Sequence, residues 1–374
     1  MESDWDRINS IKRRDYFSLM TGMLAAATRV FADSESESLG IPGPYRGRVV
    51  GVQHSKCIRG DRFQAEPIRA MVTRGMCELT GAQSSEEAWR RFFHPGDIVG
   101  IKMNPVGQPF VCSSPEVLRT IVEGLALAGV KASDVVVYER YRGNAENAGL
   151  EKWLPEGVRM AWASPAYSDF QQDIEGYDPE HFVDLPMVLR GDDLRNPTAT
   201  RSYAARFITQ QVTKLINVPV LKSHNAAGVT LALKNLSHGL VNNVNRSHDG
   251  PQLRIAEFTP AVVAMPVIRR KTVLQILDAT KGLYHGGPGI MHDDYVWEHK
   301  TVYFATDPVA IDRVGMTMID AQRKKNKLAP VKAAKTDDVW KSPYRQPEHI
   351  DNAGAAGLGE SDLAKIDWKS IKLA

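Results

Sequence analysis

Twenty residues of the chain, "VLKSHNAAGVTLALKNLSHG" (220–239), bring together Lys222, His224, Thr230, Lys234, Asn235 and His238. Two amines, two imidazoles, a hydroxyl and a carboxamide are the groups that hold a carboxylate or phosphate and exchange a proton beside it near neutral pH. In a helix beginning near Gly228, Thr230, Lys234 and His238 fall at i, i+4 and i+8 and line one face, while Leu231 and Leu236 turn to the core. A threonine at such a helix start sits at the positive end of the dipole, which favours a bound anion. A solvated polar stripe has the same spacing. It explains poorly why these residues directly follow the apolar run Leu215–Leu221, which reads as a buried strand. The residues expected to carry catalysis are Lys234, His224 and His238.

The other apolar runs have the same character. Lys102 and Asn104 follow "IVGI", Glu139 and Arg140 follow "VVVY", Asp278 follows "LQIL" and Asp307 follows "VYFA". In open parallel sheets a ligand crevice lies beyond the carboxyl ends of the strands. Lys102, Asn104, Lys222, Thr230 and Asn235 are therefore expected to bind substrate, with side chains from several strand ends meeting in one pocket. The loop "GLYHGGPGIMHDD" (282–294) follows neither the phosphate-loop nor the dinucleotide pattern, so its glycines do not indicate a nucleotide. Gly286 and Gly287 are expected to let the backbone approach a ligand closely. His224, His238, His248, His285 and His292, with Asp278, Asp307 and Asp312, could supply a divalent metal site. Asp278, His285 and Asp307 are the ligands chosen, although no tight pair of the H-E-x-x-H kind is present.

These residues need a frame, and the hydrophobic pattern supplies one. "GRVVGVQ" (47–53), "GDIVGIKMNP" (96–105) and "DVVVYER" (134–140) read as strands. "PIRAMVTRGMCELTG" (67–81) and "SPEVLRTIVEGLALAGV" (114–130) read as helices, the second with Ser114 as cap, Pro115 in the first turn and Gly129 at its end. Strand, helix and strand at this spacing make a βαβ unit. The pattern predicts an α/β fold: a largely parallel sheet with helices on both faces and an irregular insertion. That insertion, residues 143–202, is rich in Pro, Asp and aromatic residues and is expected to act as a cap.

Composition narrows the function classes. The chain has 374 residues and a formal net charge of +3, from 47 basic and 44 acidic side chains. That balance, with no basic run interleaved with aromatics, argues against a nucleic-acid partner and suits a small anionic ligand. No apolar run reaches eighteen residues, so no membrane span is expected. The three cysteines, Cys57, Cys77 and Cys112, form no C-x-x-C pair. This argues against an iron–sulfur cluster or a cysteine-bound zinc. Near the start, Arg13 and Arg14 precede an apolar stretch (17–27), with Val30 and Ala32 ahead of Asp33. The segment resembles a twin-arginine export signal, although Arg29 and Lys12 depart from that pattern. Residues 1–32 are read as this signal, 33–46 as a linker and 47–374 as the α/β domain. An exported, periplasmic protein engaging the export machinery follows. The alternative is an amphipathic cytoplasmic helix.

The blocks "DIVGIKMNP", "VPVLKSHNAAGVTLALKNLSHG", "LQILDATKGLYHGGPG" and "YFATDPVAIDRVG" stand in the order of the bacterial family known as domain of unknown function 362. The resemblance covers roughly residues 48–320. Some members of that family carry ferredoxin-type cysteine runs; this chain has none, so the iron–sulfur label does not transfer. The order histidine, small residues, lysine is also similar to the lactate racemase family, which uses histidines and a lysine around a nickel-containing cofactor. Three functions stay open at this point. The first is an exported enzyme acting on a small carboxylate- or phosphate-bearing substrate. The second is an exported ligand-binding or redox accessory protein without turnover. The third is a metal-cofactor-dependent racemase or epimerase.

Overall fold

A computed structural model describes residues 39–248, 254–289, 292–333 and 345–373. The expected export signal (1–32) and the first residues of the linker lie outside the described residues. From Leu39 onward the chain is already part of the domain: Ile41 is buried, and its amide donates to the Arg269 carbonyl at 2.8 Å. The linker expected to reach residue 46 therefore ends before it, because Ile41 contributes apolar surface to the core.

The strands in chain order are β1 (Arg48–His54), β2 (Ile58–Arg59), β3 (Arg62–Phe63), β4 (Val99–Lys102), β5 (Val135–Tyr138), β6 (Arg159–Ala161) and β7 (Tyr177–Asp184). They continue as β8 (Arg201–Ala205), β9 (Lys214–Asn217), β10 (Val220–His224), β11 (Gly228–Val229), β12 (Thr272–Leu283), β13 (Val296–Ala305) and β14 (Asp367–Leu373). Ten of them form one sheet in the order β14-β1-β13-β12-β9-β4-β5-β6, with β10 continuing beside β12 and β11 pairing with β10. Every pairing along that order is parallel except the two made by β13, so the sheet is largely parallel. The run 215–221 is two strands, because Pro219 has no amide hydrogen for a ladder. β9 and then β10 use the same side of the long β12.

The helices that flank the sheet include α1 (Ala65–Thr80), α2 (Pro115–Leu127), α3 (Leu231–Leu240), α4 (Ile255–Val263), α5 (Pro308–Lys325) and α6 (His349–Ala355). Strand alternation divides them between two cores. Val99, Ile101, Val135, Val137, Leu274 and Ile276 face α1 and α2. Val136, Tyr138, Leu215 and Leu277 face α3, α4, α5 and α6. Helix ends follow their residue chemistry. α1 stops at Gly81 with φ 72°, and α2 begins at Ser114–Pro115. The segment 143–202 departs from a pure cap: its β6 extends the main sheet, while β7 pairs antiparallel with β8 in a separate ribbon.

Candidate functional site

β4 ends on Lys102. Val99 and Ile101 point into the α1–α2 core, so Lys102 points to the opposite face, beneath α3. Its stem lies against Gly239, where a Cβ would stand 2.3 Å from Lys102 Cε. The ammonium forms a buried ion pair with Glu139 at 2.7 Å and donates to the Met103 carbonyl and, at 3.4 Å, to Asn235 Oδ1. Asn235 is the hub: its Oδ1 accepts from Asn104 Nδ2 at 3.1 Å and its Nδ2 donates to Asn217 Oδ1 at 2.7 Å. Asn104 Oδ1 in turn accepts from Lys222 Nζ at 2.8 Å, and Lys222 also donates to the Val106 carbonyl. One continuous network thus joins Lys102, Asn104, Asn217, Lys222 and Asn235 across β4, β9, β10 and α3. A lone pair left unfilled in such a buried network costs about 1–3 kcal/mol, so the network fixes side-chain geometry.

The next face of α3 carries a second cluster. Lys234 Nζ is 3.3 Å from His248 Nε2. The His238 and His248 rings lie 5.0 Å apart edge-on, and the His224 and His248 rings 5.8 Å apart. Tautomers follow from the partners. His224 Nδ1 accepts from the amides of Ala226 (3.0 Å) and Ala227 (3.2 Å), so its hydrogen is on Nε2. His248 Nδ1 lies 3.0 Å from Ser247 Oγ, whose own hydrogen goes to the Val244 carbonyl at 2.7 Å, and 3.4 Å from that carbonyl; both accept from Nδ1, so Nε2 offers Lys234 a lone pair. His349 donates from Nδ1 to the Gln346 carbonyl at 2.9 Å, and its buried Nε2 has no hydrogen-bond partner.

Electrostatics separates the lysines. Lys102 has Glu139. Lys222, Lys234 and Arg140 have no carboxylate partner among the described residues; Arg140 is held by Tyr177 Oη, Gln171 Oε1 and the His238 carbonyl. Burial pulls the Lys222 ammonium down to about 7, and repulsion by Lys102 acts in the same direction. Burial also pulls Lys234 down to about 7, with Lys222 and Arg140 adding repulsion. Burial, then the Lys234 charge, holds His224 and His238 well below their ordinary value, His248 at about 3 and His349 at about 4. At neutral pH these imidazoles are neutral, and both lysines sit at the edge of losing a proton.

A family match covers residues 99–317, more than half of the chain, and contains every one of these residues except His349. The chain belongs to DUF362, a domain of unknown function. No curated protein matches it. A Thermotoga maritima protein of known crystal structure is 10% identical, with a TM-score of 0.39 over 71% of this chain and 60% of that one. The chain thus spans less than two thirds of that protein.

Within the DUF362 domain, Asp278, His285 and Asp307 do not meet as a metal site. β13 runs antiparallel, so its carboxyl end, and Asp307 with it, lies at the opposite edge of the sheet from Lys102. There Asp307 caps α5, accepting from the amides of Val309, Ala310, Gly47 and Glu360, and burial lifts it to about 6. Asp278 lies past the end of β9 but two residues beyond Ile276, on the α2 face, where it accepts from the Ser114 amide at 2.7 Å and Thr280 Oγ1 at 2.6 Å. His285 Nδ1 is 3.2 Å from the Arg323 guanidinium, a permanent donor that fills the lone pair a metal would need. Among the described residues no three His, Cys, Asp or Glu side chains are grouped for a metal ion. All three cysteines are free.

The glycine loop and the helix start are likewise used by the fold. Gly286 takes φ 74°, and a Cβ on Gly287 would stand 1.9 Å from the Ser223 carbonyl, so the close approach is to β10. α3 begins at Leu231, with the Ala232 and Leu233 amides given to the Asp312 carboxylate at 2.7 and 3.0 Å. The anion at this helix start is therefore Asp312, and Thr230 Oγ1 is buried without a partner.

Two cavities adjoin the network. One of about 360 Å³ is lined by Asp169, Phe170, Leu189, Arg190, Asn245 and His248. A smaller one of about 150 Å³ is lined by residues 105–108 with Asn144 and Asn147. Segment 143–202 supplies walls to both. Asn217 joins the site unexpectedly, its one signal in the sequence being a lone carboxamide inside an apolar strand. His349 lies far along the chain from the other site residues and carries no local signal.

Proposed function

We propose that this DUF362 protein is an exported enzyme that transfers a proton on a small carboxylate- or phosphate-bearing substrate. The observation that carries this reading is the pair of buried lysines that, among the described residues, have no carboxylate partner, one of them 3.3 Å from a neutral imidazole. An ammonium has three donors. Lys222 uses two on Asn104 and Val106 and keeps one for the anion. Lys234, with a pKa of about 7, gains a proton when the anion binds beside it and gives it up again at its own Nζ, and His248 Nε2 lies 3.3 Å away to accept a hydrogen bond from it. Glu139 neutralises Lys102, and Asn235 holds that pair, Asn104 and α3 in register. Arg13, Arg14 and the Ala32–Asp33 junction support export.

The binding test is calorimetric. Phosphate and acetate are titrated at pH 8 into the parent and Lys234→Met proteins, each in two buffers of different ionisation enthalpy. Binding with net proton uptake is expected in the parent, because the anion raises the lysine pKa, and uptake is lost in the variant. Binding that is independent of buffer and unchanged by Lys234→Met would remove Lys234 from the site. Export is checked by sequencing the N-terminus of protein recovered from the native cell envelope. A start near Asp33 is expected, whereas intact Met1 in the cytoplasmic fraction would overturn localisation alone.

A further inference from the structure

The cavity that His248 lines combines polar and apolar side chains, and the two together point to a class of substrate. Its volume of about 360 Å³ falls within the range of small-molecule sites, about 300–1,000 Å³. His248, one of its lining residues, lies 3.3 Å from Lys234, an amine with no carboxylate partner among the described residues. Phe170 and Leu189 give the cavity apolar lining, and Tyr167 and Ile174 stand in the same segment. Phe170 is 69% exposed and Tyr167 58% exposed, so neither ring is needed to fill the core.

That exposure is not the result of a loosely held loop. Asn245 Nδ2 donates to Tyr167 Oη at 3.1 Å and to the Asp169 carbonyl at 2.8 Å. Gln171 Oε1 accepts from Arg140 at 2.9 Å and from the Val244 amide at 3.2 Å, while its carbonyl accepts from the Asn243 amide at 2.8 Å. Gln171 also adopts φ 50°, a left-handed conformation that a non-glycine residue reaches only against a steric cost. Pins on both sides of Phe170, one of them strained, hold an aromatic ring out of the core and over the cavity. Asp169 and Arg190 contribute opposite charges to its lining.

We propose that the substrate is a compound with one anionic head group and an aryl-sized apolar body, its carboxylate or phosphate directed to Lys234 and its body laid on Phe170 and Leu189. This rests on the anion-binding reading of Lys234 given above. The test compares phenyl phosphate with inorganic phosphate and benzoate with acetate, by calorimetry, on the parent, Phe170→Ser and Lys234→Met proteins. The aryl member of each pair is expected to bind at least tenfold more tightly to the parent. Phe170→Ser should remove most of that advantage, leave phosphate and acetate within twofold, and leave thermal stability unchanged because the ring is exposed. Lys234→Met should weaken all four. Equal affinities within each pair, or an aryl preference that survives Phe170→Ser, would overturn the aryl proposal while the anion reading stands. Absence of binding by all four probes would overturn both.

Discussion

At the scale of the residue, a buried ammonium costs several kcal/mol unless a carboxylate faces it or it gives up its proton. The chain shows both solutions within one network. Lys102 has Glu139, whereas among the described residues Lys222 and Lys234 have carbonyl, carboxamide and imidazole acceptors. The spacing of Lys222, His224, Lys234 and His238 was visible in the linear chain because all four lie within one strand, one loop and one helix. The i, i+4 relation held: Lys234 and His238 both turn to His248. The division of labour was not visible. Asn235, one residue from Lys234, faces another way and belongs to the Lys102 network, and His224 joins the imidazoles rather than Asn104. Asp278 was misplaced for a simple reason: position along a strand says which end a residue is near, but its face depends on parity relative to neighbours known only in three dimensions. His349 reaches the site through tertiary docking alone, with Gln346 and Asn352 bonded to the Ala226 and Ala256 carbonyls.

At the scale of the element, α3 shows how a correct local pattern can conceal a long-range partner. Thr230 is the preferred kind of cap residue, yet its hydroxyl is unpartnered, and the cap comes from Asp312 on α5. Burial raises the Asp312 carboxyl well above its ordinary range, and the two amides offset only part of that rise. Removing a cap costs about 0.5–2 kcal/mol, and leaving two buried amides unpaired adds about 1–3 kcal/mol each. Asp312→Ala is therefore expected to lower stability by roughly 3 kcal/mol or more in chemical denaturation, with Asp312→Asn recovering part of the loss. Thr230→Val should change stability by less than about 0.5 kcal/mol. Equal losses in the two alanine- and valine-substituted proteins would mean that Thr230, and not Asp312, secures the helix start. The elements themselves were largely legible. Gly81, Ser114–Pro115 and Asp307–Pro308 mark helix ends that stand where the local chemistry puts them. The strand direction of β13 was not, because an apolar strand pattern is the same for a parallel and an antiparallel neighbour, and only the pairing with β12 sets it.

At the scale of the molecule, the parallel arrangement gathers strand ends at one edge, and the same arrangement makes stability depend on pH in an unusual direction. Lys222 and Lys234 titrate near 7 in the folded chain against an ordinary 10.5. Between those values the unfolded chain holds two protons that the folded chain lacks. The contribution of these two amines is therefore complete above about 10.5 and is lost as pH falls toward 7, by at most about 1.4 kcal/mol per pH unit for each lysine. Above about 9 the thiols of Cys57 and Cys112, raised by burial to about 12 and about 11, act in the opposite direction. Below 6.5 the imidazoles of His248 and His349, held at about 3 and about 4, continue the loss. Asp307, raised to about 6, opposes it, since its folded form takes up a proton first as pH falls. Urea midpoints measured at pH 7, 8 and 9 should accordingly rise with pH. Lys234→Met should be at least as stable as the parent at pH 7 and show roughly half the slope, because one of the two titrating amines is gone. Saturating phosphate should flatten the parent's slope by supplying the counter-charge that lets both amines stay protonated. A parent midpoint that does not rise between pH 7 and 9, or a slope that Lys234→Met leaves intact, would mean that these lysines fold fully charged and that the site has no neutral amine to act as a base.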